Sequence, residues 1–152
     1  MIGRIVLAAA AAAAVCAPLY AHVTVWPRDS RPGAYEKYVV RVPTEGTVAT
    51  TSVELIVPQG VAIVSMGAST PGGFTYELKK TGDRVTSIVW TMQIKPGEFA
   101  EFPFMARNPK AGAAEIVWKA VQHFSDGTST QWSGPKDDKH PAPVVRLSND
   151  AR

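Results

Sequence analysis

The chain is poor in the residues that most chemistries need. It has a single cysteine, Cys16, three histidines, and nearly balanced charge, with 16 Lys and Arg against 13 Asp and Glu. Cys16 falls within an alanine-rich N-terminal run, so the rest of the chain has no thiol for a disulfide framework, a cysteine nucleophile or a thiolate metal cluster. The basic residues are scattered singly, without the stripe or cluster that tracks a phosphate backbone, which argues against nucleic acid as a partner. Gly-x-Ser-x-Gly, His-Glu-x-x-His and a phosphate-cradling glycine loop are all missing. Long helices are excluded too, because 12 Gly and 12 Pro are spread along the chain.

What is present begins with a leader. Arg4 is followed by Ile5-Val6-Leu7, then by alanines up to Cys16-Ala17, then by Pro18-Leu19-Tyr20-Ala21. This pattern predicts a secretory signal peptide over 1–21, cleaved after Ala21, since the apolar run is shorter than the about 20 residues of a spanning helix. Val15, just before Cys16, is not the small residue that a lipid-anchor signal places there. Removing 1–21 takes away Arg4 and leaves 15 basic and 13 acidic side chains, net +2. Residues 22–152 are therefore expected to form one domain, free in the periplasm or secreted, with no membrane anchor.

Apolar residues along 22–152 recur with period two, the mark of half-buried strands. Strands are expected at 22–26, 38–42, 53–57, 74–78, 85–92, 99–105, 115–124, 128–132 and 144–147. Pro27, Pro32-Gly33, Pro43, Pro58-Gln59-Gly60 and Pro71-Gly72-Gly73 punctuate them, and a Pro-, Lys- and Asp-rich extended tail follows from Gly134. Eight or nine short strands without a helix predict an all-β fold, an antiparallel β-sandwich. Asp126-Gly127 between two β runs predicts a two-residue hairpin turn. That register sets His123 opposite Thr130 and Val121 opposite Trp132, which puts His123 and Trp132 on one face.

Cleavage after Ala21 would make His22 the first residue. An N-terminal histidine offers its free α-amine and its ring Nδ1 as a six-membered chelate, and nitrogen-rich sites favour copper(II) among divalent ions. The plain alternative is a histidine that only opens a strand.

Several segments together resemble one family. They are Ala21-His22-Val23-Thr24-Val25, Pro32-Gly33-Ala34-Tyr35-Glu36-Lys37-Tyr38, Arg41-Val42-Pro43, Thr50-Thr51-Ser52-Val53-Glu54-Leu55 and Val57-Pro58-Gln59-Gly60-Val61. Pro96-Gly97-Glu98-Phe99 with Glu101-Phe102, and Gln131-Trp132-Ser133-Gly134-Pro135 with Pro141-Ala142-Pro143, complete the set. In this order they resemble the YcnI-like copper-binding domain. The resemblance implies a sandwich of cupredoxin-like or immunoglobulin-like kind that binds copper(II) through a single-histidine brace, with a glutamate assisting and a tryptophan close to the metal. His22 matches the brace residue and Trp132 the tryptophan. Glu54 is the best match for the glutamate and Glu101 the second.

Strand pairing gives Glu54 further support. If 22–26 pairs antiparallel with 38–43, His22 lies near the Pro43 end, where the next strand begins; Glu36 lies at the opposite end. A solvated edge glutamate is the competing reading of Glu54. Trp132 has no lone pair in its ring plane to donate, so its expected role is an apolar wall. His123 is either a second imidazole or a surface histidine on a strand, and His140 reads as a solvated tail residue.

The expected function is an exported copper(II)-binding protein for sequestration, delivery or homeostasis in the cell envelope, without turnover. Its expected partners are the copper ion and other envelope copper-handling proteins. Two alternatives remain: a copper-dependent monooxygenase with a two-histidine brace, and a metal-free β-sandwich interaction module.

Overall fold

The computed structural model describes residues 21–110 and 112–151, so the expected signal peptide lies outside the described residues except for Ala21. The strands are β1 (Thr24–Trp26), β2 (Asp29–Ser30), β3 (Tyr35–Pro43), β4 (Thr50–Ile56), β5 (Ala62–Met66) and β6 (Thr75–Thr81). They continue with β7 (Arg84–Ile94), β8 (Phe99–Arg107), β9 (Glu115–Val117), β10 (Lys119–Phe124), β11 (Ser129–Trp132) and β12 (Val144–Leu147). No helix occurs among the described residues, so the fold is all-β. One sheet runs β1-β3-β8-β5 and another β11-β10-β4-β7-β6, while a small third sheet, β2-β12-β9, lies beside them. Strand pairs are antiparallel except β2 with β12.

Alternation decides which side chains fill the interior. On β3, Tyr38, Val40 and Val42 are buried while Arg41 between them is exposed; on β4, Val53 and Leu55 are buried and flank Glu54. Trp90 stacks on Phe102 at 5.2 Å, and Tyr38, Phe104 and Trp118 pack with ring centroids 5.6 Å apart. Each such side chain contributes about 1.5–3 kcal/mol on burial, which lets a chain without disulfides hold its fold.

Three expectations change. β2 and β5 escape the periodicity, because β2 has two residues and β5 is a sheet edge without buried alternation. The expected strand 115–124 is two strands: the Trp118 N–H donates to the Pro143 carbonyl at 2.8 Å, and the chain passes there from β12 to β4 as its partner. The hairpin loop has three residues, 125–127. The Phe124 N–H donates to the Thr128 carbonyl, Gly127 takes φ +86°, and Asp126 Oδ1 accepts from both the N–H and the hydroxyl of Thr128. His123 therefore faces Ser129 and Trp132 faces Ala120, a shift of one residue that puts His123 and Trp132 on opposite faces of the sheet.

Candidate metal centre

β1 pairs with β3 in the register Thr24 to Arg41, which carries His22 to the level of Pro43, as the sequence suggests. Directly after Pro43 the chain is pinned. Buried Thr44 takes a main-chain bond to Glu98 and another from Gly97, each 2.9 Å, and its hydroxyl lies 2.6 Å from that of Thr50. Glu45 follows on the exposed side, and its carboxylate accepts the main-chain N–H of Ala21. A carboxylate thus sits at the main chain immediately ahead of His22.

The His22 ring lies against Trp132, centroids 5.8 Å apart and planes tilted 59°. Trp132 is 6% exposed, and its indole N–H is used inward, donating to Gln122 Oε1 at 3.0 Å. Gln122 Nε2 donates in turn to the Pro43 carbonyl at 2.8 Å and to Thr50 Oγ1 at 2.7 Å. Buried polar groups satisfied in this way fix the ring as a wall and join it to the segment that carries Glu45.

Two clefts flank this point. One, of about 290 Å3, is lined by Ala21, Glu45, Gln122, Trp132 and His140 among others. The other, of about 650 Å3, opens beside the His22 side chain. His140 departs from the expectation of a solvated tail residue: it is half-buried, and its ring meets Trp132 edge-on at 5.1 Å. Its carbonyl accepts from Gly134 N at 3.0 Å, and its own N–H donates to Asp138 Oδ1 at 2.7 Å. Gly134 is required there, because a Cβ would come within 2.5 Å of the Asp138 carboxyl carbon.

The carboxylates weighed from the sequence are engaged elsewhere. Glu54 is on the outer face of its sheet, with the sheet between it and Trp132; it accepts from Ser87 Oγ at 2.7 Å and from Lys79 Nζ at 3.0 Å. The Ser87 hydroxyl first, and the Lys79 ammonium after it, hold the Glu54 carboxyl below its ordinary range against the opposing effect of burial. Glu101 is paired with Arg41 at 2.8 Å on the exposed face of the other large sheet. Glu36 accepts from Ser30 Oγ at 2.6 Å toward the far end of β3. The structure therefore brings His22 and Trp132 together and leaves Glu54, Glu101, Glu36 and His123 apart from them.

Among the described residues no group of three or more His, Cys, Asp or Glu side chains is arranged to hold a metal ion. The donors available at His22 are an imidazole whose nitrogens make no hydrogen bond to any described residue, the main chain beside it, and the Glu45 carboxylate. A nitrogen pair with one carboxylate oxygen suits copper(II), provided the main-chain nitrogen of His22 is a free amine.

The family described as Domain of unknown function (DUF1775) matches residues 22–147. The chain belongs to this family. Over 136 residues it is 32% identical to the copper-binding protein CutI of Bacillus subtilis (strain 168), covering 88% of this chain and 65% of that protein; it spans about two thirds of that relative's length. It is also similar to the crystal structure of an uncharacterized protein from Nocardia farcinica described as having an immunoglobulin-like fold. There the TM-score is 0.73 and the identity 28%, over 84% of this chain and 98% of that one. The DUF1775 domain here is accordingly an immunoglobulin-like arrangement of β-sheets.

Glu45 is the carboxylate near His22 that sequence reasoning did not single out. The signal for it was available: the antiparallel pairing already placed His22 at the Pro43 end, and Glu45 is the first carboxylate beyond Pro43. Glu54 lies on the next strand, and alternation turns its side chain outward.

Proposed function

We propose that the protein is exported and cleaved after Ala21, and that it then binds one copper(II) through the α-amine and imidazole of His22, with Glu45 as the carboxylate donor and Trp132 as the wall. The observation that carries this reading is the meeting of three elements at one point: the His22 ring on Trp132, and the main chain just before His22 on Glu45. The copper-binding relative supports the choice of metal. Copper is the cargo in this reading, sequestered or handed on within the cell envelope, and no turnover is involved. The two-histidine alternative loses its candidate in His123, which faces away from Trp132.

Cleavage decides the chemistry. Ahead of His22 the chain carries an amide, whose nitrogen lone pair is delocalised into the carbonyl and binds a metal poorly unless deprotonated. The test is a competition titration with copper(II) on protein beginning at His22 and on the same protein with its His22 α-amine acetylated. The expected result is one tight copper(II) in the first form and at least a hundredfold weaker binding in the second. Equal affinity would remove the brace.

A further inference from the structure

The larger cleft beside His22 carries the wrong charge for a bare metal cation. Arg28, Lys136 and Arg146 line it, against Glu115 as the one acidic lining residue. Asp29 pairs with Arg146 at 2.8 Å; counting it as well leaves the cleft cationic. Arg28 is held in place by its guanidinium stacking over Trp26 at 4.8 Å. A site for a dication that opens onto such a surface repels the hydrated ion and attracts an anion, within a range of roughly 8–10 Å at physiological salt.

The rest of the cleft lining is largely apolar. Val117 and Val144 come from paired strands, and Pro135, Pro141 and Ala142 come from the loop next to Trp132. Its volume, about 650 Å3, falls in the range of roughly 300–1,000 Å3 found for small-ligand sites.

We propose that this cleft binds a small polycarboxylate chelate of copper(II), an anionic carrier whose carboxylates meet Lys136, Arg28 and Arg146 while its metal is presented to His22. The proposal rests on the copper reading of His22 and names the form in which copper arrives. The carrier's carbon skeleton lies against the apolar lining, and its carboxylates gain charge-assisted hydrogen bonds from the cationic side chains. Copper(II) then exchanges carboxylate ligands for the amine and imidazole of His22, and the copper-free carrier leaves as the anion. No change of oxidation state is involved.

The experiment uses protein beginning at His22 and two copper donors, copper(II) citrate and copper(II) in a non-coordinating buffer, with quenching of tryptophan emission as the loading signal. Citrate alone is also titrated calorimetrically into the copper-free protein. The parent is expected to bind citrate and to load from the citrate complex; Lys136→Glu and Arg28→Gln should weaken citrate binding and slow that loading at least tenfold, while loading from the non-coordinating buffer stays the same or becomes faster. Lack of citrate binding by the parent, or equal slowing from both donors in the two variants, overturns the proposal. His22→Ala separates the two readings. Loss of copper with citrate binding retained supports both, whereas unchanged copper uptake in His22→Ala removes the brace and leaves the citrate titration as the test of the cleft.

Discussion

The indole N–H of Trp132 donates to Gln122 Oε1 at 3.0 Å, and the amide nitrogen of the same glutamine donates to the Pro43 carbonyl at 2.8 Å. One buried side chain thus joins the wall of the candidate site to the strand end that precedes Glu45. Gln122 is 2% exposed, so these bonds are made inside the protein and not to bulk water.

Gln122→Leu is therefore expected to cost about 2–4 kcal/mol of stability, because it leaves the Trp132 N–H and the Pro43 carbonyl without partners in the interior. Urea unfolding measures this. A loss below about 0.5 kcal/mol would mean that the bond does not hold the ring.

The carboxylates divide by position. Glu45→Gln should weaken copper(II) binding at least tenfold, whereas Glu54→Gln, Glu101→Gln and His123→Ala should leave it within twofold, since those three side chains lie on the outer faces of the sheets. Competition titrations on protein beginning at His22 decide the matter, and weakening by Glu54→Gln alone would reinstate the sequence-based choice.

Glu54 also bears on pH-dependent stability. Its folded-state pKa is lowered, first by the Ser87 hydrogen bond and then by Lys79. A depressed carboxyl pKa contributes stability that is present above the unfolded value, about 4.3, and is lost as pH falls through the lower folded value. Because the pair with Lys79 is partly exposed, the contribution is about 1 kcal/mol or less. The stability difference between parent and Glu54→Gln should therefore be present at pH 7 and shrink as pH falls below about 4, measured by urea unfolding across that range.

Much of the fold was legible because period-two burial is a local property. Tyr38, Val40 and Val42 show their inward face by spacing alone, as do Val53 and Leu55. The hairpin at 125–127 was misread by one residue because two- and three-residue loops share the Asp-Gly signal, and that single slip turned His123 from the Trp132 face to the opposite one. The break at Trp118 has no local signal, since it arises where one continuous β run changes partners between sheets.

The amino-acid sequence by itself determined the all-β class and the family, because alternation and ordered short motifs are written along the chain. Tertiary structure decided that Glu45 turns its carboxylate to the main chain just ahead of His22, that His140 packs on Trp132, and that a cationic cleft opens next to them. The physical reason is that these neighbours come from separate elements, with His22 and Trp132 at opposite ends of the described chain and His140 returned to Trp132 by the 134–141 loop, and their proximity depends on sheet register and on the path of that loop, quantities that no local pattern encodes.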